Sequence, residues 1–137
     1  MLGEDIAAAL PELRAHAESL MVDTVRVQRP TGAFNTDPDT LAEVPAFSTV
    51  YLGKARLQRP GALSPNEQVS GGYEFDVRAV LAQLPLAATG IVAGDRVTVT
   101  AIGATTDPDL LGLVATVQAN LTKTHATKRT LVCQEVS

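Results

Sequence analysis

Two stretches decide the fold: Tyr73-Glu74-Phe75-Asp76-Val77-Arg78-Ala79-Val80-Leu81 and Leu113-Val114-Ala115-Thr116-Val117-Gln118-Ala119-Asn120-Leu121. Apolar side chains fall at every second position in both, the period of a strand buried on one face. Working outward, Val25 and Val27 alternate with Thr24, Arg26 and Gln28 in the same way. Val97, Val99 and Ala101 repeat the pattern after the Gly94-Asp95 turn, and a last strand is predicted from Arg129 to Val136. A short strand over Phe47–Leu52 is predicted to stop at Gly53 and resume over Lys54–Gln58, with Ala55 and Leu57 inward. Between the strands lie Asn, Asp, Gly and Pro clusters that favour reversals: Thr31-Gly32, Asn35 to Thr40, and Asp107-Pro108-Asp109. Only the first twenty residues carry a helical period, through Leu2, Ile6, Leu10, Leu13, Ala17 and Leu20, with Pro11 either in a first turn or at a kink.

The predicted fold is therefore mainly β. An N-terminal α-helix over residues 1–21 precedes a small antiparallel β-barrel or sandwich of six or seven strands over 22–137, all one domain. Long mobile loops are predicted near 32–45 and 59–72, the second because Pro60, Gly61, Pro65, Gly71 and Gly72 deny it a hydrogen-bonded ladder.

Composition narrows the function. The 137 residues are 45% hydrophobic and 19% charged, enough for a core and unlike a disordered chain. Aromatics are only 4%, with no Trp, so the core is aliphatic. A single cysteine excludes an internal disulfide framework, and Cys133 between Val132 and Gln134 reads as a buried, inert thiol. Net charge of −4 argues against gripping nucleic acid through phosphates. Glu4 and Asp5 precede any apolar run, the reverse of a secretory start, and the charge-free stretch Ala79–Gly94 is too short and too broken to span a membrane.

No nucleophile–base constellation is legible. His16 and His125 are the two imidazoles, one on the helix and one in a turn. The doubled Thr-Asp-Pro-Asp at 36–39 and 106–109 invites a calcium reading, but such a site needs six or more oxygens, and Asp-Pro turns explain both copies. No catalytic residue, metal ligand or cofactor site is expected. Charge is instead patterned. Glu4, Asp5, Glu12 and Glu18 make the helix acidic, whereas Lys54, Arg56 and Arg59 cluster on one strand and Lys123, Lys128 and Arg129 around the last hairpin. The acidic helix and the Lys123, Lys128, Arg129 patch are predicted to meet between neighbouring subunits, the alternative being two solvated faces. From Ala79 to Thr122 the only charges are Asp95, Arg96, Asp107 and Asp109, so the strands' outward positions are neutral. A face without charge is suited to burial against another copy.

Longer strings resemble a known family. Leu20-Met21-Val22-Asp23-Thr24-Val25-Arg26-Val27, Arg29-Pro30-Thr31-Gly32, Thr36-Asp37-Pro38-Asp39-Thr40 and Val50-Tyr51-Leu52-Gly53-Lys54-Ala55-Arg56-Leu57-Gln58 are similar to the start of the small head-to-tail connector proteins of tailed bacteriophages. Leu84-Pro85-Leu86, Gly94-Asp95-Arg96-Val97, Asp107-Pro108-Asp109-Leu110-Leu111-Gly112 and Thr124-His125-Ala126-Thr127-Lys128-Arg129 continue the likeness. Leu41 and Leu113 depart from it, where the family often has Gly and a basic residue. The resemblance implies a non-enzymatic virion protein, made in the bacterial host cytoplasm, that forms a homo-oligomeric ring below the portal and its adaptor. Such a ring retains packaged DNA without sequence-specific binding and presents a docking platform to the tail terminator or tail tube protein. Under it, the segment with Pro60, Gly61, Leu63, Pro65, Asn66, Gly71 and Gly72 is the expected channel loop, with Gly32–Pro45 its rival. A tail terminator of the same virion, and a small β-barrel binding module unrelated to phage, are the alternatives.

Overall fold

A computed structural model describes residues 2–59 and 79–136. Helix α1 (Leu2–Ser19) precedes six strands: β1 (Asp23–Thr36), β2 (Glu43–Gln58), β3 (Ala79–Leu84), β4 (Arg96–Ala101), β5 (Val114–Leu121) and β6 (Arg129–Glu135). All neighbouring strands are antiparallel, and they close into a barrel in the order β1-β2-β3-β6-β5-β4. Closure leaves the barrel proper no sheet edge. Inward positions are aliphatic: Val25, Val27, Ala55, Val97, Val99, Ala115 and Val117 pack into one core with Leu84, Leu131 and Cys133. The predicted phase of β3 is reversed, because Val80 and Ala82 are buried and Ala79 and Leu81 are half-buried, a choice that the all-apolar run Ala79–Ala82 does not encode.

β3 and β4 stand on opposite sides of the ring of strands, so the chain must cross one open end between Leu84 and Arg96. That crossing is the barrel's plug. Ala88 and Ile91 point into the core from it. Its backbone is held by three barrel side chains, each donating to one carbonyl: Arg29 to Gly90, Asn120 to Ile91 and Arg129 to Leu86. The Leu84-Pro85-Leu86 and Gly94-Asp95-Arg96-Val97 strings are thus the two ends of a stopper for the barrel itself.

Four further features differ from the sequence expectation. Residues 32–45 are not a loop. β1 and β2 stay paired as far as Thr36 and Glu43, and only Asp37–Ala42 turns, closed by hydrogen bonds from Asp37 N to Ala42 O (2.8 Å) and from Leu41 N to Asp37 O (2.7 Å). Thr31-Gly32 is a bulge within the strand, where Gly32 takes φ +83° and the Thr31 hydroxyl donates to Ala46 O. Second, Gly53 does not divide β2: it pairs with Val25, and its missing side chain leaves the space occupied by the Tyr51 ring, whose hydroxyl donates to Lys54 O. Third, the alternation in β5 fails after a bulge between Val117 and Ala119. The pleat reverses there, Leu121 becomes exposed and Asn120 turns inward. Fourth, α1 runs unbroken through Pro11, but Leu13 and Leu20 of its predicted apolar face are exposed. It meets the barrel instead through buried Leu10, the following Met21, and the Arg14 guanidinium, which donates to Ala126 O. The predicted strand over Tyr73–Arg78 and the loop from Pro60 to Gly72 lie outside the described residues.

Candidate functional site

Among the described residues, β1 has no partner on its β4 side beyond Gln28, and β2 meets β3 only through Arg56–Gln58. Arg29–Thr36 and Glu43–Ser48 therefore form a two-stranded ribbon that leaves the barrel at the plugged end. Nearly every residue of it is exposed. Phe34 is 62% exposed, Leu41 77% and Val44 42%. A lone two-stranded ribbon is marginally stable in water, and an apolar one is a liability unless something covers it. Pro30 and Pro45, one in each strand, withhold donors from its edges and so discourage indiscriminate strand addition.

The ribbon's base is fixed by a bidentate ion pair. Arg29 Nε and Nη2 donate to the two oxygens of Asp95 at 2.9 and 3.0 Å, and Val92 N donates to Oδ2 at 2.9 Å. Asp95 is 1% exposed. Burial alone would raise its pKa, but the Arg29 and Val92 hydrogen bonds, with the guanidinium's charge, outweigh burial and hold it below the ordinary carboxylate range. Asp23, also buried, fixes the opposite end of β1 by accepting from Gly103 N and the Thr106 hydroxyl.

Charge is sorted along this hairpin. The ribbon tip carries Asp37, Asp39 and Glu43, and no Lys or Arg occurs from Pro30 to Gly53. On the barrel below, the charged residues at outward positions of β1, β2 and β4 are Arg26, Lys54, Arg56 and Arg96. Arg96 lies over the Phe47 ring at 4.9 Å, Lys54 pairs with Glu18 of α1, and exposed Arg26 has no ion-pair partner among the described residues. The remaining barrel wall is neutral, with Thr116, Gln118, Thr130, Val132 and Gln134 outward on β5 and β6.

Of the residues predicted to meet between subunits, Glu18 and Arg129 make contacts within this one. Glu18 reaches Lys54 of its own chain at 2.9 Å, so it is committed within the subunit. Arg129 is not a solvated hairpin cation, because its guanidinium is turned toward the plug. Lys123 and Lys128 line a shallow cavity of 120 Å³ beside Leu121, and Asp5 and Glu12 are exposed on α1. Pro60, Gly61, Leu63, Pro65, Asn66, Gly71 and Gly72 lie outside the described residues. Among those described, no three His, Cys, Asp or Glu side chains converge as metal ligands, and no helix is long and apolar enough to cross a membrane. His16 and His125 are both exposed, His125 in a turn with φ +58°. Cys133 is buried and its thiol is pushed up to about 12 by that burial, which leaves it without thiolate at neutral pH.

A family profile described as a family of unknown function, DUF6093, matches residues 13–134. Among curated proteins, none matches significantly. Among solved structures, the chain is similar to the solution structure of protein SF1141 from Shigella flexneri 2a. The TM-score is 0.57 at 19% identity, covering 85% of this chain and 94% of that one. That likeness carries the fold alone.

Proposed function

The chain belongs to the DUF6093 family of unknown function, and from that premise we propose that it is a structural subunit of a bacteriophage head-to-tail connector. In this reading copies of it form a ring below the portal and adaptor, close the head on its packaged DNA and offer the tail its docking surface. The observation that carries the proposal is the pair of surfaces formed by the exposed ribbon that extends β1 and β2 and the neutral barrel wall of β5 and β6 across from it. Both are surfaces whose chemistry suits contact with protein rather than with water. The motif likeness to connector proteins along nearly the whole chain supplies the specific setting. A closed barrel whose interior is filled by its own aliphatic side chains, with its end plugged, also suits a building block better than a ligand-binding barrel. The acidic balance fits a subunit beside DNA that must pass without adhering.

The test is location. Antibody labelling of particles from the virus or induced prophage that encodes the chain should place it at one site per particle, between head and tail. Label spread over the capsid or along the tail, or none on particles, would overturn the proposal.

A further inference from the structure

We propose that the ribbon is the arm by which one copy grips the next, with its acidic tip on the basic outer face of β1 and β4 in a second copy. The inference rests on the ring reading above for its setting, but its evidence is the sorted charge. Asp37, Asp39 and Glu43 sit at one end of a continuous hairpin, while Arg26 and Arg96 lie on adjoining barrel strands near the other. With the bulges set aside, about eight ladder steps separate Arg26 from the Thr36–Glu43 pair at the tip, which at about 3.3 Å per step is roughly 26 Å. A bulge bends a strand without doubling it back, so the paired ribbon keeps its tip off its own base. The charges are satisfied between molecules instead. Tip-to-base contact joins two different surfaces, the heterologous arrangement that closes into a ring when the rotation permits.

Apolar groups match as well. Phe34 is exposed on the arm on the same face as its cross-strand partner Pro45, and Leu52, 58% exposed, lies directly opposite Arg26 on β2. An arm that lays the Phe34 and Pro45 face across Leu52 buries apolar surface on both partners while the charges set its register.

Charge reversal and cross-linking test this on the full chain. Asp37→Lys, Asp39→Lys and Glu43→Lys together, which alter only the projecting tip, should weaken self-association at least about tenfold in sedimentation velocity. Arg26→Glu with Arg96→Glu should do the same, and mixing the two variants should restore hetero-association, because one brings a basic tip to the other's acidic face. Introduced cysteines, Glu43→Cys in one copy and Leu52→Cys in another, should form an intermolecular disulfide under mild oxidation, with buried Cys133 taking no part. Circular dichroism confirms the fold of each variant, and should Arg26→Glu with Arg96→Glu unfold, the tip variant and the cross-link decide. Wild-type association by the tip-reversed protein, or failure of the two introduced cysteines to cross-link at millimolar concentration, would overturn the arm. Rings that persist without this cross-link would sink the arm and leave the connector reading standing. A cross-linking protein found nowhere in virus particles would do the opposite.

Discussion

Asp95 reads in the sequence as one more acidic turn residue after Gly94, yet it is the residue on which the plugged end depends. Its two oxygens hold Arg29 and Val92 N, and so tie the first residue of the ribbon to the segment that closes the barrel. Asp95→Asn keeps an acceptor for Val92 but ends the ion pair. The expected loss is about 2 kcal/mol, less than the cost of breaking a fully buried pair because Arg29 is partly in water. The pH dependence has a definite sign. The Asp95 pKa is lower in the folded chain than in the unfolded one, so its stabilisation is complete above the ordinary carboxylate range. It is lost as pH falls below about 4 and through the folded value. Chemical denaturation of wild type and Asp95→Asn between about pH 7 and pH 3 should therefore converge at the acid end. Parallel curves would show that Asp95 is not held as an ion. Sequence could not single this residue out, since the acid and its partner are 66 positions apart and only the crossing from β3 to β4 brings them together. Cys133, by contrast, was legible from its apolar neighbours alone, because burial in a strand follows from the alternation around it.

The elements divide along the same line. β6 matches the sequence reading closely, because period 2 reports burial on one face directly. β4 matches it through Val99, beyond which a register shift against β1 leaves Ala101, expected inward, exposed. The ribbon was missed because it has no buried face: a strand pair outside the barrel shows no hydrophobic alternation, and its Gly, Pro, Asn and Asp content reads as loop. Pairing over Phe34–Thr36 with Glu43–Pro45 is set by the Asp37–Ala42 turn instead. Leu41 in that turn takes φ +59°, a conformation that glycine adopts freely and that costs an ordinary residue roughly 1–2 kcal/mol. At 77% exposure its side chain repays nothing within the subunit. Leu41→Gly should thus leave the isolated chain as stable or up to about 1 kcal/mol more stable by thermal melting. Self-association should weaken in the same variant, since the arm loses its tip contact. A variant unchanged in association would mean that Leu41 touches no neighbour. The helix teaches the converse lesson, for its 3.6-residue period was correct but could not say which apolar residues the barrel covers. Leu10 and Met21 are buried, Leu13 and Leu20 are not.

At the scale of the whole molecule, the fold positions two unlike surfaces: a rigid barrel, neutral on one side and basic on another, and an acidic arm projecting from its plugged end. The sequence disclosed the neutral wall, because charge-free outward positions can be read one by one. It placed the acidic and basic partners differently, pairing α1 with the last hairpin. Three-dimensional proximity turns Glu18 and Arg129 to contacts inside their own subunit, and the charges proposed to meet a neighbour are those of the ribbon tip and of Arg26 and Arg96. Together the arm, the wall and the connector-like motifs make a case for a subunit whose work is done in an assembly at the head–tail junction. The most direct measurement is the fate of particles made without it. A stop codon early in its gene, in the virus or prophage that encodes it, should yield heads that package DNA, fail to retain it and carry no tails, with intact particles restored by supplying the protein in trans. Normal yields of DNA-filled, tailed particles from that mutant would contradict the connector role outright.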